Sequence, residues 1–230
     1  LTTAQASGRL GAVVAHILLP LVVAGFVCAT RRSTRISLTF GTALAVALIG
    51  AFNPALAVLT AVAALVLLVF GHGATRLHAL VLLLVPGGLM GPWILRVVDN
   101  PLLLLGGPGL TRWYAETSAP WQLALLHPGG PGSYPVLLSA PIVLAGVVAM
   151  MRRDTASRAM TMLALLTLGG LTLGLASPFL VSAFVPQGLT GAGGPITLWA
   201  GTGLDAAALA LIAAAVLGFD GLSVRLSRSG

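Results

Sequence analysis

Ile36-Ser-Leu-Thr-Phe-Gly-Thr-Ala-Leu-Ala-Val-Ala-Leu-Ile-Gly-Ala-Phe52 runs into Asn53-Pro54, and then into Ala55-Leu-Ala-Val-Leu-Thr-Ala-Val-Ala-Ala-Leu-Val-Leu-Leu-Val-Phe70. Neither apolar run carries a charge, and each approaches the length needed to cross a hydrocarbon core. Asn-Pro between them is a turn signal, because proline disfavours helix at the residue before it. Two helices joined by a tight hairpin are expected, rather than one very long helix. A soluble domain could not bury both runs, so the hairpin sets the class of the whole chain.

Working outward, the same pattern recurs. Apolar runs fall at 10–29, 36–52, 55–70, 77–95, 135–151, 159–185 and 204–219, with one long polar segment at 96–134. The fourth contains Pro86-Gly87-Gly88 and the sixth contains Ser177-Pro178. The expected fold is all-α: a single transmembrane domain of about seven helices with one long extracytoplasmic loop. Composition agrees. Charged residues make up 7% of the chain where a soluble domain carries about 25%, and the mean hydropathy is +1.03. The chain begins at Leu1 without Met, and we read it as a piece of a longer protein.

All 12 basic side chains are arginine. Counted by alternate loops, Arg31, Arg32, Arg35, Arg76, Arg152, Arg153, Arg158, Arg225 and Arg228 share one side, against Arg9, Arg96 and Arg112 on the other. The positive-inside rule then predicts a bacterial inner-membrane protein with its N-terminus outside and its C-terminus cytoplasmic. Trp93, Trp113, Tyr114, Trp121, Tyr134 and Trp199 fall on the outer side, where amphipathic rings anchor. The arginines sit in clusters between spans without interleaved aromatics, which argues against nucleic acid and for the lipid bilayer as the partner.

No phosphate-binding loop, zinc-binding helix motif or nucleophile elbow is present, so no catalytic residue, metal or cofactor is assigned. Cys28, the single cysteine, reads as a small buried hydrophobe. The outer segment gathers the chain's polar groups. One reading makes Asp99 or Glu116 a general base and Arg112 a phosphate ligand, with Trp113 beside them. The other is an interfacial cap in which Arg96–Asp99 and Arg112–Glu116 are local pairs. Within the spans, His16 reads as a neutral histidine bonded to a neighbouring helix, Asp205 as a carboxylate at a helix start, and Asp220 as the end of the last helix. Ala206, Ala210, Ala214 and Gly218 form a small-residue stripe, and Gly170/Gly174 and Gly87/Gly91 are spaced for close helix approach.

Gly91-Pro92-Trp93-Ile94-Leu95, then Asn100-Pro101-Leu102-Leu103-Leu104 and Pro108-Gly109-Leu110, resembles the membrane region of large actinobacterial family-2 glycosyltransferase proteins. So does Pro128-Gly129-Gly130-Pro131-Gly132 before a proline-led helix ending in Arg152-Arg153, and the closing stretch from Trp199 to Leu226. The resemblance covers roughly Leu77–Gly230 and consists of loop and turn patterns. It implies a glycosyltransferase as the whole protein, with the nucleotide-sugar domain upstream of Leu1. This segment would then anchor it and handle a polyprenyl-phosphate-linked sugar for the cell envelope. The alternatives are a transporter or flippase-like subunit, and a non-catalytic membrane scaffold.

Overall fold

A computed structural model describes residues 10–31, 33–105, 118–129, 134–152, 158–185 and 194–229. Among these, the chain is mostly helical: α1 (Leu10–Ala29), α2 (Ile36–Phe52), α3 (Pro54–Phe70), α4 (Ala74–Leu89), α5 (Gly91–Asp99), α6 (Pro120–Ala124), α7 (Ala140–Met151), α8 (Arg158–Ala176) and α9 (Gly201–Ser229). Short 3-10 turns at Pro101–Leu104, Val136–Ser139 and Ser177–Phe179 join some of them. Two helical segments, Arg158–Phe179 and Gly201–Asp220, are long and apolar enough to cross a membrane, and α4 with α5 makes a third if the bent pair counts as one span. Val13–Ala29, α2, α3 and Val136–Met151 are shorter apolar segments. The 17 residues of α2 or α3 reach about 25 Å at 1.5 Å per residue, a little under the ~30 Å hydrocarbon core.

The Asn53 hairpin forms as its sequence predicts. The Asn53 N–H closes α2 on the Ile49 carbonyl, and Pro54 opens α3, where its missing N–H costs nothing. Asn53 Nδ2 also donates to Thr202 Oγ1 at 3.5 Å, placing this turn at the same end of the bundle as the start of α9. At the opposite end, Arg76 Nε donates to the Gly71 carbonyl at 2.8 Å and caps α3. His78 Nδ1 pairs with Thr39 Oγ1 at 2.7 Å in the core, satisfying two buried polar groups across α2 and α4.

Bilayers offer no hydrophobic drive between helices, so close packing must hold them. Gly170 and Gly174 of α8 supply it. A Cβ at Gly170 would stand 2.6 Å from the Gly203 carbonyl oxygen, and one at Gly174 would stand 2.7 Å from Leu204 Cδ2. On α9, Ala206, Ala210 and Ala214 are buried in the main core with Phe26, Ile49, Leu56 and Leu163, while a Cβ at Gly218 would press on Ala149. The small-residue stripe is therefore a contact surface.

Four expectations change. The sixth run is not one helix to Val185. Pro178 lacks the N–H that a further turn requires, Ser177 Oγ turns back to the Gly174 carbonyl, and Val181–Val185 pairs antiparallel with Gly194–Thr197 as β1 and β2. Among the described residues the fold is thus mostly helical, with one short two-stranded sheet added to the expected helices. The fourth run starts earlier, at Ala74, and breaks by 75° between α4 and α5. The bend falls at Met90, ahead of Gly91-Pro92, while Pro86 stays helical and buried inside α4. Asp220 does not end α9, which continues to Ser229. Finally, Gly87 and Gly91 make no close helix contact, since a Cβ at either would meet nothing within 4 Å.

Candidate functional site

Two features lie toward the Asn53 end: a polar cap, and an apolar cavity under the helix break.

The cap is built by local chemistry. Pro120 starts α6, and Gln122 Oε1 accepts from the Ala119 N–H at 2.9 Å. The helix closes with the His127 N–H on the Gln122 carbonyl (2.9 Å) and the Leu126 N–H on the Leu123 carbonyl (2.9 Å). That is a Schellman closure with Leu126, at φ 62°, where glycine is usual. A branched side chain in this conformation is strained, and burial of Leu126 with Leu123 against Leu204, Ala207 and Leu211 holds it there. Tyr134 Oη donates to the Leu126 carbonyl at 2.6 Å, and His127 Nε2 lies 2.9 Å from the Tyr134 carbonyl. The two rings meet edge to face at 5.6 Å. Ser139 Oγ donates to the Leu125 carbonyl. The Tyr134 phenol is raised above its ordinary value, first by burial; a hydrogen bond with Ser139 opposes the rise and the Asp205 carboxylate adds to it.

That influence brings Asp205 of α9 into the same neighbourhood. His16 of α1 stands there too, with Nδ1 3.7 Å from Asp205 Oδ2. The Nδ1 atom is buried and makes no hydrogen bond. His16 thus faces a neighbouring helix without the hydrogen bond expected from the sequence, the Asp205 carboxylate standing just beyond reach. The two residues come from opposite ends of the chain, and no local signal in the sequence pointed to their meeting.

The second feature follows from the break. Beside it lies a cavity of about 250 Å³ between α2, α3, α4 and α5, lined also by Leu104. Its lining, which includes Val46, Ala57, Leu82, Gly87, Met90 and Trp93, contains no charged or hydrogen-bonding side chain apart from the Trp93 indole. Met90 holds the bend in place: a Cβ at Gly50 of α2 would overlap its sulfur at 2.6 Å, so the glycine forms the seat for that side chain.

The chain has no matching family model, curated protein or solved structure.

Of the residues singled out in the sequence, Arg112, Trp113 and Glu116 lie outside the described residues. Asp99 is exposed at the last turn of α5. The expected Arg96–Asp99 pair does not form, whereas His16 and Asp205 do stand within 4 Å of each other. Among the described residues, no group of three or more His, Cys, Asp or Glu could hold a metal. The sequence did not reveal the cavity, because its walls are ordinary apolar residues whose meeting depends on the angle of the break.

Proposed function

We propose that this chain is the membrane-embedded part of a glycosyltransferase-like cell-envelope protein, which receives a polyprenyl-phosphate-linked sugar at its outer face. In this reading α1, α2, α3, the α4–α5 pair, the 136–151 segment, α8 and α9 make seven spans, with the N-terminus outside and the C-terminus in the cytoplasm. The shorter helices span where the bilayer thins locally. The arginine split supports that orientation. The Asn53–Thr202 bond agrees with it, since alternation puts both residues on one side.

The observation that carries the proposal is the broken helix. A 75° turn separates α5 from the α4 axis beside an apolar hollow; in this reading the turn lies at the outer end of α4, and Arg96 and Asp99 of α5 meet the head groups. A lipid-linked sugar needs that combination: a hollow for hydrocarbon and an aqueous rim for phosphate and saccharide. Chemistry on the sugar nucleotide is assigned to the rest of the protein, because this segment carries no catalytic motif.

A photoactivatable polyprenyl-phosphate sugar, applied to membranes containing the full-length protein, tests the reading. Cross-links should concentrate between Gly91 and Ser139. Labelling no stronger than that of an unrelated polytopic protein would refute it.

A further inference from the structure

We infer that the β1–β2 hairpin between α8 and α9 is a membrane-surface anchor. Phe179 and Phe184 sit at the boundary between lipid head groups and acyl chains, and the edges of the sheet stay in the wet layer above. The partner is the bilayer surface itself, and the inference does not rest on the sugar-carrier reading.

The sequence sets this segment apart. From Ala159 to Leu204 it contains no Asp, Glu, Lys, Arg or His, whereas the connection 96–134 carries Arg96, Asp99, Arg112, Glu116 and His127. A protein surface in water carries charge, so a connection without any fits a medium less polar than water. Its starting point is equally specific. Arg158–Phe179 is one of the two segments long and apolar enough to cross a membrane, and Phe179 is its last residue. The hairpin begins where a span stops.

Hydrogen bonds make the hairpin a fixed extension of the helix ends. Ser177 Oγ donates to the Gly174 carbonyl at 2.7 Å, the Leu198 N–H donates to the Leu180 carbonyl at 2.9 Å, and β1 then pairs with β2. Leu198 is buried at the base. The phenylalanines are not: Phe179 is 84% exposed and Phe184 75%. Leu175, one turn before Phe179 on α8, is exposed as well. β1 also runs beside the Pro101–Leu104 turn, whose Leu102 and Leu103 are exposed. Two distant segments thus bring uncovered apolar side chains to one end of the bundle.

Two opposed requirements fix the depth. The exposed rings gain by leaving water. Among the described residues the sheet has only two strands, so each keeps one unpaired edge. Open edges are not tolerated in hydrocarbon, where nothing satisfies their N–H and C=O groups. The hairpin therefore goes no deeper than the interface, its rings reaching about 5–10 Å into the boundary as amphipathic anchors do. A docked protein fits less well, because its polar rim would find no charge to pair with across residues 159–204. Seated this way, the hairpin sets the height at which the start of α9, with Asp205, meets the membrane surface.

Fluorescence quenching tests the anchor on the full-length protein in phosphatidylcholine vesicles. In a background free of native cysteines, Cys28→Ser included, Phe184→Cys is labelled with a polarity-sensitive fluorophore. Lipids carrying a nitroxide near the head group should quench it at least threefold more than dissolved iodide does, and at least threefold more than lipids carrying the nitroxide deep in the acyl chain. Leu168→Cys, at an exposed position midway along α8, should show the reverse preference for the deep nitroxide. Phe179→Cys should behave like Phe184→Cys and serves if that variant does not fold. Quenching by iodide without quenching by lipid would place the hairpin in water and overturn the anchor. Protection from both quenchers, which a docked protein or a second copy gives, would overturn it too, as would equal depths for Leu168→Cys and Phe184→Cys. None of these outcomes bears on whether a lipid-linked sugar binds, so the two readings fail separately.

Discussion

The α8–α9 seam and the α4–α5 break carry the same sequence signature, two glycines four residues apart in an apolar run, and they use it oppositely. At the seam, Gly170 and Gly174 are small because another helix occupies the space: Gly203 and Ala207 backbone atoms lie where side chains would be. At the break, Gly87 and Gly91 face nothing within 4 Å. Glycine spacing in a membrane helix therefore indicates room near the backbone, but not what fills it. A neighbouring helix gives stability through dispersion contacts, whereas open room leaves a hollow available to a ligand.

Substitutions can break or sharpen that contrast. The largest effect is expected at the seam's flank, where Leu211 is 1% exposed and a Cβ at Gly146 would overlap its side chain. Leu211→Ala should cost about 2–5 kcal/mol through lost contacts and the cavity left behind, read as a drop in thermal stability in detergent. Gly170→Leu should cost about 1–3 kcal/mol or more, because the obstructing atoms are backbone and cannot rotate away. Ala214→Leu belongs to the same class, its site being fully buried. Gly87→Ala at the break should have the opposite sign and raise stability by up to about 1 kcal/mol. Equal losses at Gly170 and Gly87 would erase the distinction.

A smaller effect concerns pH. The Tyr134 phenol is raised above its ordinary value, so the unfolded chain loses that proton at lower pH than the folded protein. The stability linked to Tyr134 is fully present below about pH 10 and is lost as pH rises through the folded value. Tyr134→Phe should flatten the alkaline part of a stability–pH curve. An unchanged alkaline slope would mean that the cap does not shield the phenol.

Local signals made part of this architecture readable in the sequence. Asn53-Pro54 specifies its turn through proline's own restrictions, and the Ala206–Gly218 stripe specifies a face through helical periodicity. Elsewhere the signals were degenerate. Val181–Val185 is as apolar as a helix end, and periodicity alone does not separate a short buried strand from helix. Pro86-Gly87-Gly88 marked the interruption of the fourth run, yet Pro86 stays helical. The bend came ahead of Pro92, where Met90 leaves helical geometry at φ −90°, ψ 1° and seats on Gly50, a long-range contact that no local reading contains. His16 and Asp205 met for the same reason, through folding of the whole bundle rather than spacing. The resemblance to glycosyltransferase membrane regions rests on loop patterns such as Gly91-Pro92-Trp93, and part of that pattern now has a physical role as the far side of the break.

Every functional statement depends on which side of the membrane holds the break and the cap, and cysteine accessibility measures that directly. In a Cys28→Ser background, Asp99→Cys and Ser157→Cys are each exposed to a membrane-impermeant maleimide in intact cells. The account predicts that Asp99→Cys labels at once and Ser157→Cys only after permeabilisation. Labelling of Ser157→Cys in intact cells, with Asp99→Cys protected, would invert the topology and contradict the account.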